Sequence, residues 1–201
     1  MKISILDRVL LLITCLLAAY QIGFVIDGFS TLPMIAYTIA FGVLLVSGLL
    51  IILLGIEVLE SPVVVIVATM IPLTLSLGLV WQHLESFKVL YLVFAIIGFF
   101  AILVTRSFPM PGRLPTIVLA LVHGIAGMTI FLLPIFLSIQ GLTRPLFSLV
   151  GIGGALIGIG GLALSFLKAG KPILSKEIIL KILPVILFSM ALCFVAGFKY
   201  G

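Results

Sequence analysis

Residues 114–139 read LPTIVLALVHGIAGMTIFLLPIFLSI and contain no Asp, Glu, Lys or Arg. A stretch of about twenty apolar residues matches the hydrocarbon thickness of a bilayer when coiled as a helix. The flanks of this segment are punctuated. Before it, residues 106–115 hold Arg106, Arg113 and three prolines, and after it comes Gln140-Gly141. The unit is therefore one membrane span, begun at a Pro-rich loop and ended at a glycine.

The same reading extends in both directions. Toward the N-terminus, apolar runs cover residues 6–26, 33–59, 62–82 and 87–105; toward the C-terminus they cover 145–167 and 176–198. Pro33 suits the first turn of its run, and Glu57, Glu60, Ser61 and Pro62 mark a tight turn. Transmembrane barrel strands would alternate apolar and polar residues over about ten positions, and these runs are continuous. The expected fold is all-α: one polytopic bundle of about seven transmembrane helices filling residues 1–201. Composition agrees. Only 8% of the 201 residues are charged, against about 25% in a soluble domain, and the mean hydropathy is +1.53. Backbone groups in lipid must be satisfied internally, which leaves the helix as the solution here.

Orientation follows from the basic residues. Lys2, Arg8, Arg106, Arg113, Lys168, Lys171, Lys176 and Lys181 fall on one side and Lys88, Arg144 and Lys199 on the other. The excess places the N-terminus in the cytoplasm and the C-terminus outside, and the cell membrane is the expected location. The net charge of +5 belongs to these helix ends and is no nucleic-acid signature. Arg106, Arg113, Lys168 and Lys171 are expected to meet lipid head groups on the cytoplasmic face. Trp81, Tyr20 and Tyr200 fall near the outer interface, where amphipathic aromatic rings reside. The first run follows a basic head, as a signal peptide does, but it is too long for one. Cys15 and Cys193 lie within apolar runs and read as small core residues.

Residues 151–161 carry the clearest pattern. Gly151, Gly153 and Gly154 recur seven positions later as Gly158, Gly160 and Gly161. Seven residues are nearly two helical turns, so a surface free of side chains runs down this helix. Lipid offers no hydrophobic force between helices, so close backbone approach must hold them together. These six glycines are expected to be a helix-packing face, against a helix of this chain or of a partner.

Polar residues at membrane depth are few. His123 stands about 15 Å into its helix at 1.5 Å per residue, and a polar ring there is costly. It is the candidate for a polar or cofactor site, with a neutral, hydrogen-bonded ring expected and haem or pigment ligation as the alternative. The other histidine, His83, belongs to the turn Trp81-Gln82-His83-Leu84-Glu85, at a different depth. Tyr20 and Gln21 are the second polar pair. No charged residue occupies the middle third of any run, which argues against ion-coupled transport. No nucleophile elbow or metalloprotease signature is present, and Lys181 stands in the first turn of its run, not midway where a retinal Schiff base would form. No catalytic activity and no resident cofactor or metal are expected.

The seven runs can divide as three, one and three, with the first and last triplets as parallel repeats. Pro72 and Pro184 mark the third run of each, and Gly48/Gly55 and Gly151/Gly158 the second. The composite expectation is a non-catalytic accessory subunit of a membrane complex, packing through the glycine-rich helix. The alternative is a small transporter or binding component for an apolar or lipid-like molecule.

Overall fold

A computed structural model describes residues 4–26, 28–110, 112–168 and 175–201, with the side chains of residues 60, 62, 160–168 and 176 outside that description. Seven α-helices and no strand are found among the described residues: α1 (Ile5–Tyr20), α2 (Thr31–Leu54), α3 (Pro62–His83), α4 (Lys88–Ser107), α5 (Leu114–Ile139), α6 (Ser148–Lys168) and α7 (Lys176–Tyr200). Six of them are long and apolar enough to cross a membrane, and a shorter apolar helical stretch, Pro145–Ile159, runs from a 3₁₀ turn over Pro145–Phe147 into α6. The protein is a helical membrane bundle.

Local chemistry sets the helix ends. The hydroxyl of Ser4 accepts from Asp7 N at 3.1 Å, and the Asp7 carboxylate accepts from Ser4 N at 3.0 Å. This reciprocal capping box satisfies two donors at the start of α1. Ser175 caps α7 by accepting from Ile178 N at 3.3 Å. The run expected to continue to Leu59 instead stops at Leu54. Gly55 there takes φ +87°, a conformation nearly closed to residues with a Cβ, and the chain continues as a 3₁₀ turn over Ile56–Glu60. The first run also differs from a uniform helix, because Gln21–Val25 forms a π-turn.

The helices touch in a closed circuit. α1 packs on α2, α2 on α3, α3 on α5, α5 on α6, α6 on α7, and α7 returns to α1. α4 stands outside this ring and packs on α3 and α5. The interior of the ring is filled by large side chains, among them Leu11, Tyr37, Phe41, Leu79, Met190 and Phe194, all nearly inaccessible. Phe41 and Phe194 meet edge to face at 5.9 Å. A smaller core of Leu73, Ala95, Ile102, Val122 and Ala126 joins α3, α4 and α5.

Glycines permit the closest approaches. A Cβ on Gly151 would lie 2.5 Å from the Phe131 carbonyl oxygen, and one on Gly154 would lie 2.6 Å from Ile130 Cγ2, both on α5. A Cβ on Gly153 would meet the Phe194 ring of α7 at 2.9 Å. These three glycines pack on helices of the same chain, whereas the space beside Gly158 is open. The side-chain surroundings of Gly160 and Gly161 lie outside the described residues. Gly78 of α3 is pressed against the Tyr37 ring, and Gly197 of α7 against Val150.

Candidate functional site

The ends of α1, α3, α5 and α7 form one rim of the bundle, called upper here. A cavity of about 510 Å³ opens at this rim. α3 contributes Gln82 and His83 from its last turn. The α5–α6 connection contributes Thr143, Arg144 and Phe147, and α7 contributes Phe198. Phe29, from the α1–α2 connection, completes the wall. The cavity thus lies where the first three helices meet the last three.

Its walls are of two kinds. Phe147 and Phe198 stand 6.1 Å apart, edge to face, and the His83 ring lies 5.1 Å from that of Phe147. Phe29 lies 6.3 Å from Phe198. These rings offer flat apolar surface with favourable edges and faces. The polar groups are the Gln82 amide, the Thr143 hydroxyl and the exposed Arg144 guanidinium. Buried Tyr37 fixes one of them, donating its hydroxyl to Gln82 Oε1 at 2.5 Å. That bond fixes the amide's orientation, with one oxygen lone pair used by the protein and the NH₂ group able to donate.

Two groups singled out in the sequence lie near this rim. Tyr20 accepts a hydrogen bond from Lys199 Nζ at 2.6 Å, tying α1 to α7, and the same ammonium lies 5.1 Å and 5.3 Å from the Tyr20 and Tyr200 ring centres. Tyr20 therefore serves the ring closure. Gln21 follows it at the start of the π-turn. It is fully buried, and neither its amide nitrogen nor its oxygen has a hydrogen-bond partner among the described residues. π-turns within helices frequently mark functional sites, and an unpaired buried amide is costly. Glu85 does not join His83, because it pairs with Lys88, whose ammonium also lies 5.8 Å from the Trp81 ring. Among the described residues no three His, Cys, Asp or Glu side chains gather as a metal site.

The remaining candidates sit toward the opposite, lower end. His123 is half-buried on α5, about 14 Å along the axis from Leu114. Its ring lies by the Leu119 backbone one turn back, and its buried Nδ1 makes no side-chain hydrogen bond among the described residues. No second histidine shares its helix or its end of the bundle. Arg106 ends α4 half-buried, where a cation complements the helix dipole, and Arg113 is exposed just before α5. The Lys168 side chain and Lys171 lie outside the described residues.

In the sequence Trp81 reads as an interface residue and Arg144 only as a topology signal. The signal that could have joined them was their common side: Gln82, His83 and Arg144 are among the few polar residues near the loops at this end. The aromatic walls carried no such signal, since Phe29, Phe147 and Phe198 are indistinguishable in sequence from lipid-facing phenylalanines. Fold and site define a polytopic helical membrane protein with a cavity at one rim. No protein-family model matches the chain, and no curated protein or solved structure matches it either.

Proposed function

We propose that this protein is a membrane-embedded binding component, or small transporter, that takes up a small amphipathic molecule from the outer side. The observation that supports this reading is the cavity between the two helix triplets, with aromatic walls and three polar side chains at its mouth. A flat apolar body would lie against Phe147 and Phe198, with a polar or anionic head at Gln82 and Arg144. Ligand sites commonly combine apolar walls with a few placed polar groups, and in repeat-built transporters they lie at the interface of the repeats. The test is purification in mild detergent from the native membrane, followed by mass spectrometry of bound small molecules. A defined compound that accompanies the wild type and is lost from Arg144→Ala and Phe147→Ala supports the proposal. Wild-type protein carrying only bulk lipid, with no stabilisation by any compound of a broad panel, overturns it; bound ligand would raise stability by mass action.

A second reading, the accessory subunit, is favoured by the open space beside Gly158 on α6 and beside Gly124 and Gly127 on α5. Small residues facing outward suit the approach of another helix. In that case, stable partner proteins co-purify, and Gly158→Leu releases them without unfolding the chain.

A further inference from the structure

The wall of the rim cavity closes on itself. Gln82 is bonded to Tyr37 at 2.5 Å. The Tyr37 ring lies 4.8 Å from that of Phe198, Phe198 lies 6.1 Å from Phe147, and Phe147 lies 5.1 Å from His83, the chain neighbour of Gln82. Arg144 joins this circuit through the 3₁₀ turn that follows it, where Phe147 N donates to the Arg144 carbonyl at 3.0 Å. Amide, guanidinium and aromatic rings thus border one space of about 510 Å³, within the roughly 300–1,000 Å³ typical of small-molecule sites.

The polar groups of this wall differ in what they can still do. Tyr37 is fully buried, and its hydroxyl proton needs an acceptor. Gln82 Oε1 accepts it, so the amide turns its oxygen to Tyr37 and its NH₂ group away. Ser138 donates its own proton to the Pro134 carbonyl at 2.8 Å, so in the 3.2 Å contact between Ser138 and Thr143 the proton comes from Thr143. Thr143 is left to accept. The side-chain donors are then the Gln82 NH₂ group and the exposed Arg144 guanidinium, which is charged at every working pH. The described lining residues include no carboxylate, and Glu85, close to Gln82 in the chain, is held by Lys88.

Charge and donors together select the head of a guest. A permanent cation favours an anion over a neutral or cationic group. Guanidinium and carboxylate are matched planar partners, and an amide NH₂ suits the same acceptor oxygens. One cation balances one negative charge, whereas a phosphate monoester carries about two. The remaining wall is aromatic and offers faces and edges to a ring.

We infer that the rim cavity takes a small aromatic monocarboxylate, its oxygens shared between Gln82 and Arg144 and its ring against Phe147 and Phe198. Tyr37, buried behind the wall, is the positioning residue that holds the amide in its donating sense. The assignment rests on the reading of the cavity as a binding site.

The experiment is calorimetric titration of the full chain in mild detergent with three probes of one body: phenylpropionate, phenylpropionamide and phenylpropylamine. The Phe147→Ala chain in the same micelles is the blank for partition into detergent. The acid is expected to bind about tenfold tighter than the amide, the worth of one charge-assisted hydrogen bond, and tighter still than the amine. Arg144→Gln is expected to remove that preference and leave the affinity for the amide as it was; the side chain is exposed, so the packed interior is untouched. Tyr37→Phe keeps the ring, frees the Gln82 amide to turn, and is expected to narrow the acid-to-amide ratio about fivefold. Equal weakening of acid and amide would instead remove Tyr37 from this role. Should Tyr37→Phe fail to fold, the ranking of the three heads on the wild type still decides. An amide or amine that binds as tightly as the acid overturns the inference and leaves the cavity a binding site. If no acid binds while another compound of the broad panel does, the carboxylate is likewise excluded; if no compound binds, both readings fall together.

Discussion

At the residue scale, Gln21 is the most informative side chain. Its amide is buried with no partner, so it lowers stability as long as nothing bonds to it. Replacing a buried, unsatisfied polar group by an apolar one of similar shape removes that penalty. Gln21→Leu is therefore expected to raise the unfolding free energy of the ligand-free protein by about 1–3 kcal/mol, the cost of one such group, measured by denaturant titration in detergent. A loss of stability would instead mean that water or a bound molecule already satisfies the amide. The sequence marks Gln21 only as a polar residue at membrane depth. What it does not carry is the π-turn, which packs against α2 and α7. Tyr37 shows the same limit. Its apolar surroundings were plain from the sequence, but its hydrogen bond to Gln82, 45 positions away, depends on two helices meeting.

At the scale of the element, α6 shows what a pattern of small residues can and cannot say. The glycine spacing implies close packing surfaces, since residues with no side chain permit helix axes to approach. It does not say which neighbours approach. Gly151 and Gly154 serve α5 and Gly153 serves α7, while Gly158 faces open space. Two substitutions on one helix should thus behave differently. Gly154→Leu forces a side chain into Ile130 and is expected to destabilise the isolated chain by several kcal/mol, in the range of severe overpacking. Gly158→Leu is expected to leave its thermal unfolding within about 0.5 kcal/mol of wild type, as for sites outside the packed interior. Similar losses for both would contradict the assigned faces. The end of α2 makes a related point. Leu54 to Leu59 is apolar enough to read as helix, but the φ of +87° at Gly55 breaks it. Glycine inside an apolar run is ambiguous in sequence, being tolerated in membrane helices as well as at their ends.

At the scale of the whole molecule, length and hydropathy sufficed for the seven-helix bundle, because a lipid solvent leaves few alternatives. The order of helices around the ring was not legible, since all runs are apolar on every side and no polar face points outward or inward. Contacts supply it. Exchanging α1, α2 and α3 for α5, α6 and α7 carries the circuit onto itself: α1–α2 becomes α5–α6, α2–α3 becomes α6–α7, and α7–α1 becomes α3–α5. The expected correspondence of Gly48/Gly55 with Gly151/Gly158 is not kept, because Gly55 ends its helix while Gly158 stays within one. The ring predicts a specific cross-link. With Cys15 and Cys193 replaced, cysteines placed at Tyr20 and Lys199, whose long side chains meet at their tips in the structure, should be joined by a short bis-maleimide that spans the gap the two side chains now fill, and this should shift the mobility of a protein cleaved between α4 and α5. Failure to join would open the circuit at α7 and α1.

The position of α4 outside the ring has a consequence of parity. A unit of three spans ends on the opposite side of the bilayer from where it begins. Two such units joined directly would be upside down relative to one another, and no rotation about the membrane normal could superpose them. One additional crossing restores the sense of the second unit. α4 supplies that one extra crossing and stands at the periphery, against α3 and α5.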